Sequence, residues 1–261
     1  MRYLRLLSLF LKNSLQVDLE YRANFIGSLV FSLLDVAWSI GGTLLFYSFR
    51  EQIGGWTFHE ALVVVGLFFV MWGVADVAIM PNVAAIGEHI RKGTFDFVLI
   101  KPLNSQVHAT LRQYKLHRLS GILSGIVIVL FALWRLHTIP GFGQIALFIL
   151  IALSAIVMLY AILTMLATIA FWTVSVDNIH ELFFAFLDTA KYPASAFPEP
   201  LHGIILFVVP VGFMTTVPAE VLLNRITPSL ALYGIFLALA LLLISIRLWR
   251  IAVRNYSSAS S

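Results

Sequence analysis

The sequence predicts an all-α, polytopic membrane protein: six transmembrane helices, an N-terminal amphipathic helix and a re-entrant outer helical hairpin, in one transmembrane domain over residues 1–261. Three observations carry that prediction. The chain is 60% hydrophobic and only 11% charged, with a mean hydropathy of +0.94. A soluble domain carries about 25% charged residues, because its outer shell has to be polar. The apolar residues fall in runs of membrane-crossing length, and Lys and Arg gather in alternate connections between those runs.

The elements follow in order. Residues 1–22 are expected to form a helix lying on the membrane surface. Leu4, Leu7, Leu11 and Leu15 recur at helical spacing, and Arg2, Arg5, Lys12, Asn13 and Gln16 take the other face, with Leu9 among them. No small-residue cleavage site follows, and Asp18, Glu20 and Arg22 interrupt the passage into the first span. A bilayer core of about 30 Å needs about 20 apolar residues in a helix. The apolar runs lie at 24–49, 58–80, 119–136, 143–173, a shorter 179–192, and 228–251. Between the last two is an apolar but broken stretch holding Pro193, Pro198, Pro200, Pro210, Pro218 and Pro228. Proline removes a backbone donor and clashes inside a helix, and lipid offers the freed groups no partner. Residues 201–223 are therefore expected to form two short helices meeting near Pro210, within a re-entrant outer segment at 193–228. One proline-kinked span is the alternative.

Charge sets the orientation. Arg2, Arg5, Lys12 and Arg22 precede the first span; Arg91, Lys92, Lys101, Arg112, Lys115 and Arg118 lie between the second and third; Arg247, Arg250 and Arg254 end the chain. With six spans, 13 of the 17 Lys and Arg share one side, and only Arg50, Arg135, Lys191 and Arg225 fall opposite. The positive-inside rule then puts both termini in the cytoplasm. A seventh span would move the C-terminal arginines outside. Trp56, Trp134, Trp172 and Trp249 sit near span ends, as an aromatic belt requires. Nucleic-acid binding needs a basic stripe on a soluble surface, which this arrangement does not offer.

The longest polar stretch is the loop at 81–118, between spans two and three. Glu88, His89, Arg91 and Lys92 suggest a short charged helix stopped by Gly93, followed by Asp96, the apolar Phe97-Val98-Leu99-Ile100, Lys101 and Pro102. A second helix is expected from 105 to 118, leading into the third span. Such a hairpin suits docking into a partner's groove; a solvated connector is the bland alternative.

The order Glu88, Gly93-Thr94, a short apolar run and Pro102 resembles the motif after the second span of permease subunits of bacterial ABC exporters of the type-2 class, which moves polysaccharides, drugs and lipids. The later stretch at 192–223 is similar to that class's re-entrant outer segment, and the resemblance covers nearly the whole chain. It implies a coupling helix docking on a separate ABC ATPase subunit, with Glu88, Arg91, Gly93, Thr94, Phe95, Asp96, Lys101 and Pro102 as contact candidates. Asp96 stands where many members have Glu. The resemblance also implies a second permease copy or a related permease, residence in the bacterial inner membrane, and ATP used by the partner, with no cofactor bound directly. ATP would close the ATPase dimer, move the coupling helices and rearrange spans one, two and five around a cavity between two permeases.

The sequence offers little chemistry of its own. No Gly is followed directly by Lys, so a G-x-x-x-x-G-K-[ST] phosphate loop is excluded. His180-Glu181 and His59-Glu60 begin like a zinc helix, but Phe184 and Val63 stand where the second His is needed. Cys is absent, which removes disulfides and thiolate metal sites. Asp35, near the middle of span one, and Asp76, near the inner end of span two, are the informative charges. A mid-membrane carboxylate costs about 2.5–3.5 kcal/mol on insertion scales, so each is expected to line a translocation path or tie helices together. Lys191 and Glu199 flank the Pro-rich segment as gate or surface residues. A stand-alone secondary transporter or channel is the alternative function, although the two halves of the chain show no likeness. A membrane-embedded enzyme would need clustered His, Asp or Glu in the spans.

Overall fold

The structure is a computed structural model that describes residues 9–16, 22–173, 184–185 and 187–256. A short helix α1 (9–16) precedes the first long helix, α2 (Arg22–Phe49). A two-stranded antiparallel hairpin, β1 (Gln52–Ile53) and β2 (Trp56–Thr57), follows. Its turn needs positive φ at both centre positions, which Gly54 (59°) and Gly55 (81°) supply. Glu60 accepts the Thr57 backbone N–H at 2.8 Å and starts α3 (Phe58–Val74) as a capping box does. A wider π turn at Ala75–Ile79 joins α3 to α4 (Met80–Arg91) without a break in the helical path. Then come two short helices, α5 (Asp96–Leu99) and α6 (Ser105–Thr110), and two long ones, α7 (Leu119–Arg135) and α8 (Phe142–Thr168). The chain closes with the short α9 (Leu201–Val208) and α10 (Gly212–Leu222) and the long α11 (Pro228–Arg254).

Among the described residues, five helical stretches are long and apolar enough to cross a membrane: Ile26–Phe49, Phe58–Arg91, Leu116–Arg135, Phe142–Phe171 and Pro228–Arg254. They match five of the six expected spans. The remaining one, at 179–192, is described only in part, at 184–185 and 187–192, where 184–185 and 187–189 are helical; most of the expected N-terminal amphipathic helix and His180-Glu181 lie outside the described residues. The chain stands at one end of the bundle at Phe171, where that ring meets Phe95, and at the other at Ser195, whose hydroxyl donates to the Gly54 carbonyl at 2.8 Å.

α3 is the axis of the bundle: 72% of its most apolar window is buried, against 6% for α2. It meets α7 through glycines. A Cβ on Gly125 would fall 2.5 Å from the Gly66 carbonyl oxygen, and one on Gly73 would fall 2.9 Å from the Ile122 nitrogen. Only bare backbones pack this closely, which is how helices gain dispersion contacts where lipid removes the hydrophobic drive. α8 packs along α11, with Met158, Leu159 and Leu163 fully enclosed. The outward faces carry Phe31, Trp38, Phe142 and Phe236, which suits a lipid surrounding.

α9 and α10 meet at 93° across 209–211, around Pro210. Both ends of the pair lie at the β-hairpin: Ser195 bonds to Gly54, and Arg225 donates to the Gly55 carbonyl at 3.3 Å. The bent pair thus enters and leaves at one end of the bundle, as the proline cluster predicts.

Two expectations about the 81–118 loop need correction. The second span does not stop near Met80; the helix runs 34 residues to Arg91. At 1.5 Å per residue that is about 50 Å, well beyond a bilayer core of about 30 Å, so the α4 end projects as a stalk. Pro81 is tolerated because it is the second residue of α4, just after the π turn. It has no N–H to give Val77, and the Val77 carbonyl is taken instead by the Lys115 N–H at 3.0 Å. The helix expected over 105–118 ends at Thr110. Asn82, 1% exposed, captures the chain beyond it: its Oδ1 accepts from the Arg112 and Gln113 N–H groups at 3.0 and 2.8 Å, and its Nδ2 donates to the Ala78 and Gln113 carbonyls, each at 2.8 Å.

Candidate functional site

The α4–α6 hairpin occupies the end of the bundle away from the β-hairpin. Gly93 ends α4 in the left-handed region (φ 66°), as expected of a helix stop. The reversal is closed by the Gly93 N–H on Ile90 and the Phe95 N–H on His89, at 3.1 and 3.2 Å. The Thr94 hydroxyl sits 2.7 Å from His89 Nδ1 and locks the turn. Exposed Glu88 pairs with Lys92 at 2.6 Å, and Lys92's hydrogen bond and charge hold the Glu88 carboxyl below the usual range.

The turn aims α5 so that its two faces differ. Phe95 and Val98 point inward. Phe95 is 0% exposed, with its ring edge-on to Phe171, Tyr256 and Trp249 at centroid distances of 5.1, 5.5 and 6.0 Å. Phe97 and Ile100 point outward, 65% and 75% exposed. Beside them lie Arg91, Lys92, Lys101 and Pro102, all exposed. The expectation that Phe95 touches a partner is therefore corrected: it fastens the hairpin to the ends of α8 and α11. Its neighbours Phe97 and Ile100 present the apolar surface, and the i, i+3 spacing of Phe95 and Val98 was the signal for that division. Gly93 and Thr94 shape the turn, while Glu88, Arg91 and Lys101 stay at the surface; Asp96 is half-buried at the start of α5.

Further bonds fix α6. Trp249 Nε1 donates to Ser105 Oγ at 3.1 Å, Gln106 Nε2 reaches Ser245 Oγ at 3.3 Å, and the Thr110 and Tyr160 hydroxyls meet at 2.9 Å. On its other side α6 carries His108, 4% exposed, facing the Phe10 ring of α1 at 6.1 Å. Ser14 of α1 accepts the Tyr114 N–H at 3.2 Å, so α1 lies against the hairpin while Leu11 and Leu15 stay exposed. Movement of α5 is thereby tied to α1, α4, α8 and α11 together. Asn82 and Gln106 were not singled out from sequence, and Trp249 was read only as an aromatic-belt residue; an isolated amide at the end of an apolar run was the available sign for Asn82.

The two intramembrane acids separate. Asp76 lies in the π turn and pairs with Arg118 at 2.6 Å, tying α3 to the start of α7. Asp35 is exposed on α2 and has no ion pair or hydrogen bond among the described residues. Both open on one cavity between α2, α3 and α7. At the opposite end of the bundle Arg225 pairs with Glu60 and lies over the Trp56 ring at 5.6 Å, locking the β-hairpin to the exit of the bent pair. Lys191 pairs with Asp188 at 3.2 Å and lies over Phe68; Glu199 pairs with His202 at 2.9 Å.

A family model described as "ABC-2 family transporter protein" matches residues 33–260. No curated protein and no solved structure matches the chain.

Proposed function

Because this chain belongs to the ABC-2 transporter family, the membrane permeases of ABC transporters, we propose that it is the transport subunit of an ATP-driven exporter, coupled to its ATPase through the α4–α6 hairpin. The observation that carries this reading is the two-faced α5. Phe95 fixes the hairpin to α8 and α11, while Phe97 and Ile100 stand bare beside Arg91, Lys92 and Lys101. An apolar pair ringed by charge suits a groove on a soluble partner. The stalk then works as a lever. A push on α5 reaches the bundle through Phe95 to α8 and α11, and through the unbroken α3–α4 helix to the core. ATP is bound and hydrolysed on the partner.

The hairpin end is assigned to the cytoplasm of a bacterial inner membrane, on the strength of the basic residues gathered there. Both termini then lie inside, and α9–α10 form the re-entrant outer hairpin. The exposed apolar face of α2, from Ile26 to Phe49, supports pairing with a second permease, identical or related.

Co-purification tests the reading. The chain should bring down an ABC ATPase, and the double change Phe97→Asp with Ile100→Asp should release it while the permease stays monodisperse. Retention of the ATPase by that variant would overturn the assignment of the docking face. Transport by the purified chain alone would favour a stand-alone secondary transporter.

A further inference from the structure

The cavity between α2, α3 and the start of α7 measures about 420 Å³. Its charges do not balance. Asp76 is matched by Arg118 at 2.6 Å, whereas Asp35 has no charged or hydrogen-bonding partner among the described residues. One helical turn before Asp35, the Ser32 hydroxyl oxygen is shut off from the surface and also lacks a partner among them. Residues three apart on a helix share a face, so Ser32 lies on the cavity side of α2 with Asp35, its hydroxyl oxygen enclosed. The facing wall includes the rings of Phe69 and Trp72.

These groups define a ligand chemistry. A carboxylate without a counter-charge rejects anions and asks for a cation. Aromatic faces attract a cation through the ring quadrupole. A bare divalent ion would need six or more oxygen ligands, which the cavity does not assemble. An ammonium meets both demands at once, with an N–H toward Asp35 and its charge toward the aromatic wall. Depth selects its carrier: Asp35 lies 13 residues into α2, about 20 Å along the helix from its first residue, near mid-membrane. An ammonium reaches that depth only on an apolar body.

We propose that this cavity binds the ammonium end of an amphiphile, with Asp35 as its counter-ion and the Phe69 and Trp72 wall facing it. Calling that amphiphile cargo rests on the exporter reading above; the binding needs neither ATP nor a partner. Two sources share the chemistry: the headgroup of an amino-lipid and a free lipophilic amine.

The test uses the full chain in neutral maltoside micelles. Quenching of tryptophan fluorescence is measured with an alkylamine, an alkanol and an alkyl sulfate of one chain length, each carrying a terminal bromine. The amine should act on the wild type at about one-tenth the concentration the alkanol needs, since an unscreened charge pair is worth at least that ratio. Asp35→Asn should lose this preference, Asp35→Glu should keep it, and Glu51→Gln, an exposed loop change, should not alter it. Equal quenching by amine and alkanol, or by amine and sulfate, overturns the proposal on the wild type alone, whether or not the Asn variant folds. A preference retained in Asp35→Asn overturns it as well. Displacement of the amine by added phosphatidylethanolamine supports a lipid headgroup as occupant. Lack of displacement by either that lipid or phosphatidylglycerol supports a free amine, and equal displacement by both counts against an ammonium site. Because no ATPase is present, failure here leaves the docking assignment standing, and release of the ATPase leaves this site standing.

Discussion

Replacing Phe95 by Ala separates the fastening of the hairpin from its outward surface. Phe95 is 0% exposed and meets three rings edge-on, so truncation opens a cavity among Phe171, Trp249 and Tyr256. A buried Phe→Ala change costs about 3–5 kcal/mol. Each edge-to-face pair adds about 0.5–1.5 kcal/mol beyond the buried area, which places this site in the upper part of that range. For a chain of this size, about 2–4 °C of Tm follows each kcal/mol, so the apparent Tm should fall by roughly 10–15 °C. The companion change Phe97→Ala removes a ring that is 65% exposed and should shift stability by no more than about 0.5 kcal/mol. Thermal scans of the purified chain in micelles, followed by tryptophan fluorescence at one scan rate, read both effects; a fixed rate is needed because such unfolding is governed by kinetics. Capture of the ATPase then reads coupling: Phe97→Ala should weaken it in a chain of unaltered Tm. If Phe95→Ala leaves the Tm in place, or Phe97→Ala lowers it equally, the two-faced description of α5 is wrong.

Two further outcomes follow from the packing and the charges. Gly125→Val places a side chain where a Cβ already falls 2.5 Å from the Gly66 oxygen, so α3 and α7 must separate and the folded yield should collapse; Gly41→Ala, with nothing within 4 Å, serves as the neutral comparison on the same gel-filtration assay. His108 is held below its usual pKa first by burial, then by Lys101 and Arg112. The unfolded imidazole takes up its proton near pH 6.5, ahead of the folded one, so this contribution to stability is complete above that pH and is lost as pH falls toward the folded value. His108→Phe should flatten the decline in apparent Tm between about pH 6.5 and 5; an unchanged slope would place the titrating group elsewhere.

The membrane character, the five spans described in full and the bend at Pro210 were legible because each rests on local information. Run length against bilayer thickness marks a span, and a proline marks a break. Gly93 was equally legible as a helix stop, since only its own backbone angle is at issue. What sequence could not settle depends on partners far along the chain. Phe95 and Phe97 look alike as neighbours in an apolar run, and only Phe171, Trp249 and Tyr256, brought in by α8 and α11, make one an anchor and the other a surface. Asp35 and Asp76 likewise look equivalent until Arg118 arrives beside Asp76 alone. The helix expected over 105–118 failed because local propensity is weak, and three hydrogen bonds from Asn82, some thirty residues earlier, hold the chain beyond Thr110 in another path. Sequence by itself determined which segments enter the membrane, since transfer into lipid is close to a sum over residues. Tertiary structure decided which side chain at each place is free to act, because burial and pairing are properties of contacts.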